Sequence, residues 1–207
     1  MVSDANVMVF YTLYAERYTL GRYIMRVIVG MTGASGAIFG VDLLRRCQAE
    51  KYLILTKWGR YVLKEETGLT EHHLAEHVKK TFSDDDLSAP FASGSTPFDA
   101  LVILPCSAST MAKIACGIAD TLLTRIAMVA LKERRKVIIG LRETPLSTIM
   151  LEQAHKLSQA GAIIMPVSPP LYHRPQNLDD MVEHFTGKVL GLLGFETTLA
   201  WKPEALD

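Results

Sequence analysis

No apolar run in the chain approaches the roughly 18 residues that span a bilayer, and neither charge sign is in excess, with 22 Lys and Arg against 22 Asp and Glu. The first absence excludes a membrane-spanning helix. The second removes the pull toward nucleic acid or an acidic membrane surface, and with so little repulsion between copies self-association is expected. Cysteine is scarce too. Cys47, Cys106 and Cys116 are odd in number and form no CxxC pair, which excludes a disulfide framework and a structural zinc site and fits a reducing cytoplasm. His73 and His77 lie four apart on a polar stretch with no obvious carboxylate as third ligand, so no metal is expected. Ser35 lacks the G-x-S-x-G elbow of a hydrolase. What remains is a chain of 207 residues, 49% hydrophobic and 21% charged. It is long enough for one domain with a proper core and too apolar for wholesale disorder.

The segment 7–15 is apolar, but Asp4 precedes it and Glu16 and Arg17 follow where a signal peptide would carry small residues. Met25 opens a clean strand. Residues 1–24 are therefore read as an N-terminal extension, the alternative being an arm that packs on a neighbouring subunit, and 25–207 as the functional domain. From there short β-branched runs alternate with helical periodicity. Strands are expected at 26–29, 52–55, 100–104, 137–140 and 162–165. Helices are expected at 35–50, 58–66, 70–81, 110–115, 122–134, 148–159 and 178–193, with Thr70 as an N-cap and Gly68 as a stop. This alternation predicts a single doubly wound α/β domain with a mainly parallel sheet, flavodoxin- or Rossmann-like.

Ligands in such sheets bind beyond the carboxyl ends of the strands, and four of those ends carry suitable chemistry. The first is Gly30-Met-Thr-Gly33-Ala34-Ser35-Gly36, a glycine-rich turn into a helix that suits a phosphate; a turn without ligand has the same composition. The third strand ends in Cys106-Ser107-Ala108-Ser109-Thr110, where simple capping needs only one of the three hydroxyls. Thr56 follows the second strand. Arg142 and Glu143 follow the fourth, as a phosphate clamp or a surface ion pair. Further along stand Arg125, the basic run Lys132 to Arg135, and Tyr172-His-Arg-Pro175 after a proline-rich turn. Cys106 beside a helix start is either a low-pKa thiol or inert packing. The run Asp84-Asp-Asp86 reads as a solvated loop.

Seven blocks in order, Thr32-Gly-Ala-Ser-Gly36, Ala92-Ser-Gly-Ser95, Leu104-Pro-Cys-Ser107, Ala130-Leu-Lys-Glu-Arg-Arg135, Arg142-Glu-Thr-Pro145, Gly161-Ala-Ile-Ile-Met-Pro166 and Tyr172-His-Arg-Pro-Gln176, give the chain from Met25 to about Trp201 its resemblance. It resembles the UbiX-type flavin prenyltransferases, also known as 3-octaprenyl-4-hydroxybenzoate carboxy-lyases or phenylacrylic acid decarboxylases. The resemblance implies flavodoxin-like subunits in a homo-oligomer, usually a dodecamer, binding FMN between neighbours. It implies transfer of a dimethylallyl group from dimethylallyl phosphate to N5 and then C6 of reduced FMN, without metal. The prenylated FMN passes to a UbiD-type decarboxylase.

Carried onto this sequence, the resemblance places FMN on Gly33, Ala34, Ser35, Thr56, Ser107, Ala108, Ser109, Thr110 and Arg142. It gives Ser35, Glu66, Arg125, Lys132 and Glu143 catalytic positions in the reaction pocket. Tyr172 and Lys188 would bind dimethylallyl phosphate. The cations and hydroxyls would take the charge of the leaving phosphate, and Glu66 or a phosphate oxygen would remove the proton released on ring closure. Lys188 stands where relatives commonly have Arg, losing the bidentate fork. Leu87 stands where some have Trp, with Phe91 as the candidate to compensate. Two other readings share the cradle. An FMN-dependent cysteine decarboxylase would need a catalytic histidine and an Asn-containing loop, and Cys106-Ser-Ala-Ser-Thr110 has no such asparagine. A non-catalytic FMN carrier would need no Glu66, Lys132 and Tyr172 set.

Overall fold

The computed structural model describes residues 18–19 and 22–197. A two-residue antiparallel pair, β1 (Tyr18–Thr19) and β2 (Arg22–Tyr23), precedes the domain. Most of the expected extension 1–24 lies outside the described residues, but the Tyr23 hydroxyl donates to Asp99 of the domain.

The domain then runs β3 (Arg26–Met31), α1 (Ala37–Arg46), β4 (Glu50–Leu55), α2 (Lys57–Thr67), α3 (Glu71–Leu74), β5 (Lys80–Ser83), β6 (Ala100–Cys106), α4 (Ala108–Ala115), α5 (Leu122–Lys132), β7 (Lys136–Leu141), α6 (Thr148–Gln159), β8 (Ile163–Ile164) and α7 (Leu178–Leu193). Six strands form one parallel sheet in the order β5-β4-β3-β6-β7-β8. Renumbered within the sheet this is 3-2-1-4-5-6, the Rossmann order rather than the flavodoxin one.

The apolar runs behave as a sheet covered on both faces requires. Alternate residues of each strand enter opposite cores. Val27, Val29, Leu53, Leu55, Val102 and Leu104 face α1, α2 and α7, whereas Ile28, Ile54, Leu101, Ile103, Val137 and Ile139 face α4, α5 and α6. Among the described residues no helix is long and apolar enough to cross a membrane.

One expected element is wrong. The polar stretch 70–81 is not one helix: it divides into α3, a 3-10 turn Ala75–His77 and the edge strand β5. Thr70 does cap α3, its backbone N–H donating to His73 Nδ1 at 3.1 Å. The strand signal was weak because β5 has four residues of which only Phe82 is buried. The third strand also does not stop at Pro105 but runs through it to Cys106, with a register irregularity after Ile103.

Candidate active site

After β3 and β6, neighbours at the centre of the sheet, the chain leaves toward opposite faces, which opens the crevice where such sheets bind ligands. Thr32 holds the two strand ends together. It is 2% exposed; its Oγ1 donates to the Pro105 carbonyl at 2.9 Å and accepts the Ser107 N–H at 2.7 Å. Ser107 caps α4, its Oγ accepting the Thr110 N–H at 3.2 Å, and Thr56 caps α2, its Oγ1 accepting the Gly59 N–H at 3.0 Å. Three helices, α1, α2 and α4, therefore start around one crevice.

Gly33, Thr56, Ser107, Ser109 and Thr110 line the same cleft there, of about 510 Å³. A Cβ on Gly33 would collide with Cβ of Trp58, so only glycine lets the turn pass this close to the start of α2. Among the described residues the amides of Gly33, Ala34 and Ser35 have no acceptor. Lys57, Trp58, Asp84, Asp85 and Lys113 also line this cleft. Lys57 and Trp58 immediately follow Thr56, so the strand-end rule could have found them. Asp84 was hidden because β5, which it follows, was read as helix. It is no solvated loop residue. It is 8% exposed, and its carboxylate accepts the Leu123 N–H at 2.9 Å at the start of α5, where a negative charge suits the helix dipole.

The start of α1 differs from expectation. Gly36 takes φ 97, which favours glycine, and Glu66 reaches across from α2 so that its Oε2 accepts the N–H groups of Gly36 and Ala37, both at 2.8 Å. A carboxylate of the protein thus occupies the first amides of the helix expected to hold a phosphate. Anion-binding capacity in this turn lies one step earlier, at Gly33 to Ser35. Ser35, Glu66 and Arg142 line a second cleft of about 590 Å³.

The remaining residues stand elsewhere. Tyr172 and Lys188 share a cleft of about 700 Å³ between α7 and the turn after β8. Arg125 lines another, of about 580 Å³, with Leu87 and Pro90. Its Nε donates to the Ala92 carbonyl at 3.1 Å. Arg135 donates to the carbonyls of Gly94 (2.7 Å) and Thr96 (3.0 Å) and lies over the Phe98 ring. Lys132 pairs with Glu133 against Gly94. The sequence blocks 92–95 and 130–135 therefore meet in space, and Arg125 of α5 and Arg135 beyond its end fasten the loop. Glu143, exposed, accepts the Thr144 N–H at 3.0 Å and lines none of these clefts. Glu66, Arg125, Lys132 and Glu143 do not converge within one chain. Ala34 is buried, and Ala108 is the first residue of α4. Phe91 does not compensate for Leu87. It is 4% exposed, with its ring against Tyr52, Phe82 and Phe98 in the core, whereas Leu87 is 48% exposed.

Cys106 is inert packing: full burial pushes its thiol up to about 12, and the neighbouring helix start does not reverse this. Cys47 is buried as well, and Cys116 is exposed. Iodoacetamide at pH 8 is expected to label the folded protein at Cys116 and to spare Cys47 and Cys106, read by peptide mass mapping.

The flavoprotein family matches residues 17–188. The flavin prenyltransferase UbiX of Thermoplasma acidophilum is 43% identical over 171 residues, 82% of this chain and 95% of that protein. Among solved structures, AnUbiX (PadA1) in complex with FMN and dimethylallyl pyrophosphate superposes with a TM-score of 0.82 at 35% identity, over 86% of this chain and 100% of that one. A dodecameric FMN-dependent UbiX-like decarboxylase from Escherichia coli O157:H7 gives 0.82 at 38% identity, over 86% and 99%. A 207-residue chain with this crevice, matched over most of its length, belongs to the flavoprotein family and, within it, to the UbiX-type flavin prenyltransferases.

Proposed function

We propose that this protein joins a dimethylallyl group, carried by a phosphate leaving group, to reduced FMN, and that the product serves a UbiD-type decarboxylase. The observation that carries the reading is the crevice between β3 and β6. Its donors are the amide of Gly33 and the hydroxyls of Thr56, Ser107, Ser109 and Thr110, with the Trp58 side chain beside them, and the turn continues through the amides of Ala34 and Ser35, which have no acceptor among the described residues. That set fits FMN: hydroxyls and unpaired amides suit its phosphate and ribityl oxygens, an aromatic wall suits its ring system, and about 510 Å³ lies in the range of small-molecule sites. When bound, reduced FMN supplies the nucleophilic ring nitrogen and carbon of the reaction.

The chain's own residues do the rest. Gly33, Ala34, Ser35, Thr56, Ser107, Ala108, Ser109, Thr110 and Arg142 hold the flavin. Tyr172 and Lys188 bind the allylic phosphate, and Lys188 does so as a point charge without a fork. Arg125 and Lys132 face the developing charge of the departing phosphate, as electrostatic stabilisation requires. Ser35 shares the second cleft with Arg142, and Glu143 follows Arg142 as an exposed side chain outside it. Glu66 takes the proton released at ring closure, and one of its oxygens, Oε1, has no partner among the described residues. Because these groups occupy separate clefts of a single chain, the reaction pocket is completed between subunits. The dodecameric relative supports an assembly of that kind. The three free cysteines suit a reducing compartment.

The test is anaerobic. Purified protein, reduced FMN and dimethylallyl phosphate are expected to yield an extracted flavin heavier by one five-carbon unit. Unmodified, still-bound FMN with both the phosphate and the pyrophosphate would instead support the carrier reading. Glu66→Gln keeps an oxygen on the α1 amides and loses the base. FMN affinity is expected to stay, and product formation to fall about 100-fold or more, the range of general-base loss. Unchanged product formation would remove Glu66 from its role.

A further inference from the structure

We infer that the stacked imidazoles of His173 and His184 are the positioning element of Tyr172, and that a proton taken up by the pair releases Tyr172 from the cleft it shares with Lys188. The inference rests on the reading of Tyr172 and Lys188 as substrate-binding residues. The two imidazole rings lie face to face, centroids 4.1 Å apart and planes 15° from parallel. Tyr172 meets both edge-on, at 6.0 Å from His173 and 5.4 Å from His184. His184 is 8% exposed and stands one helical turn before Lys188 on α7, so it ties the tyrosine-bearing turn to the helix that carries the cation.

Both nitrogens of His173 and Nδ1 of His184 are buried without a hydrogen-bond partner. A charge on His173, or a proton on Nδ1 of His184, would have no acceptor among the described residues and would lie against the other ring, whose centroid is 4.1 Å away. Among the described residues the carboxylates on the neighbouring turns are already engaged elsewhere. On α7, Asp180 accepts the Gln176 N–H and Glu183 pairs with Arg46. On α1, Asp42 pairs with that same Arg46 and accepts the Thr186 hydroxyl. Lys188 on α7 and Arg174 beside His173 add positive charge. Burial first, then the neighbouring His173, lowers the pKa of His184. The sign follows: the neutral stack is intact above the ordinary imidazole value near 6.5 and is lost as pH falls through the lower folded value.

The experiment uses the whole protein. Exchange of the imidazole C2 hydrogens, read by mass spectrometry peptide by peptide, gives the titration of His173 and His184 directly. Backbone amide exchange of residues 170–176, corrected for its intrinsic pH dependence, reads the turn. Calorimetry with dimethylallyl phosphate at pH 7.5 and 5.5 reads affinity for the wild type, His173→Phe and His184→Phe. Phenylalanine keeps a flat ring and removes the proton site, so either variant serves if the other fails to fold. In the wild type the turn is expected to open at low pH, and affinity to fall about tenfold more than in the variants. The ligand's own titration is common to all three. A turn whose exchange does not respond to pH, or responds equally in the variants, overturns the inference. If the turn opens only in the wild type but Tyr172→Phe binds dimethylallyl phosphate normally at pH 7.5, the pair still positions Tyr172, and the substrate role of Tyr172 is what fails.

Discussion

Alanine at position 33 is expected to weaken FMN binding by about 100-fold to 10,000-fold. The added Cβ would meet Cβ of Trp58, next to the backbone of the first turn of α2 and not at the far end of a flexible side chain. The turn or the helix must move. Either motion takes the Gly33 to Ser35 amides off their aim, and losing two hydrogen bonds to a charged phosphate costs about 1.5–3 kcal/mol each. Flavin fluorescence titration measures it. Gly68→Asn is the control. Gly68 ends α2 at φ 70 with nothing near its Cβ position, and asparagine tolerates that conformation. FMN affinity should be unchanged there, and an affinity within threefold of wild type for Gly33→Ala would show that the turn does not hold the phosphate.

Thr32→Val should destabilise the fold by about 2–4 kcal/mol. Valine fills the same space but strips the buried Ser107 N–H of its acceptor and the Pro105 carbonyl of the hydroxyl donor. Each buried polar group left short of a partner costs about 1–3 kcal/mol. The Thr32 N–H still donates to that carbonyl at 3.1 Å, which keeps the sum below the upper limit. For a chain of this size the apparent Tm should drop by about 5–15 °C. Thr32→Ser restores the hydroxyl and should recover most of the loss. A stability unchanged in Thr32→Val would mean that the hydroxyl does not hold the strand ends, and a loss in Thr32→Ser as large as in Thr32→Val would mean that the methyl group matters as much as the hydroxyl.

The sheet was legible because its central strands are buried on both faces and read as unbroken apolar runs, and helix stops such as Gly68 announce themselves. The predicted and observed bounds of α6 and α7 coincide for the same reason, an apolar face repeated over three turns or more. Edge strand β5 was not legible, since Lys80, Thr81 and Ser83 have no apolar period, and Asp84 was lost with it. The candidate crevice lies where strand-end chemistry put it, yet composition could not reveal that Glu66 would take the first amides of α1. That depends on α2 lying beside α1, a tertiary fact. The same holds for Phe91, whose loop composition suggests exposure and whose ring fills a core.

The pairing of β3 with β6 has a kinetic consequence. Val27 lies opposite Ala100, so the middle of the sheet closes only after a loop of more than seventy residues has been gathered. Such a contact forms late and slowly compared with a helix or hairpin. The crevice proposed for the flavin is made of the ends of these same two strands, together with β4, and no local segment carries enough of it to grip a ligand. Flavin can therefore give no template to the folding chain. Its stabilisation falls on the finished domain and appears as a longer native lifetime, not as a faster route to the native state.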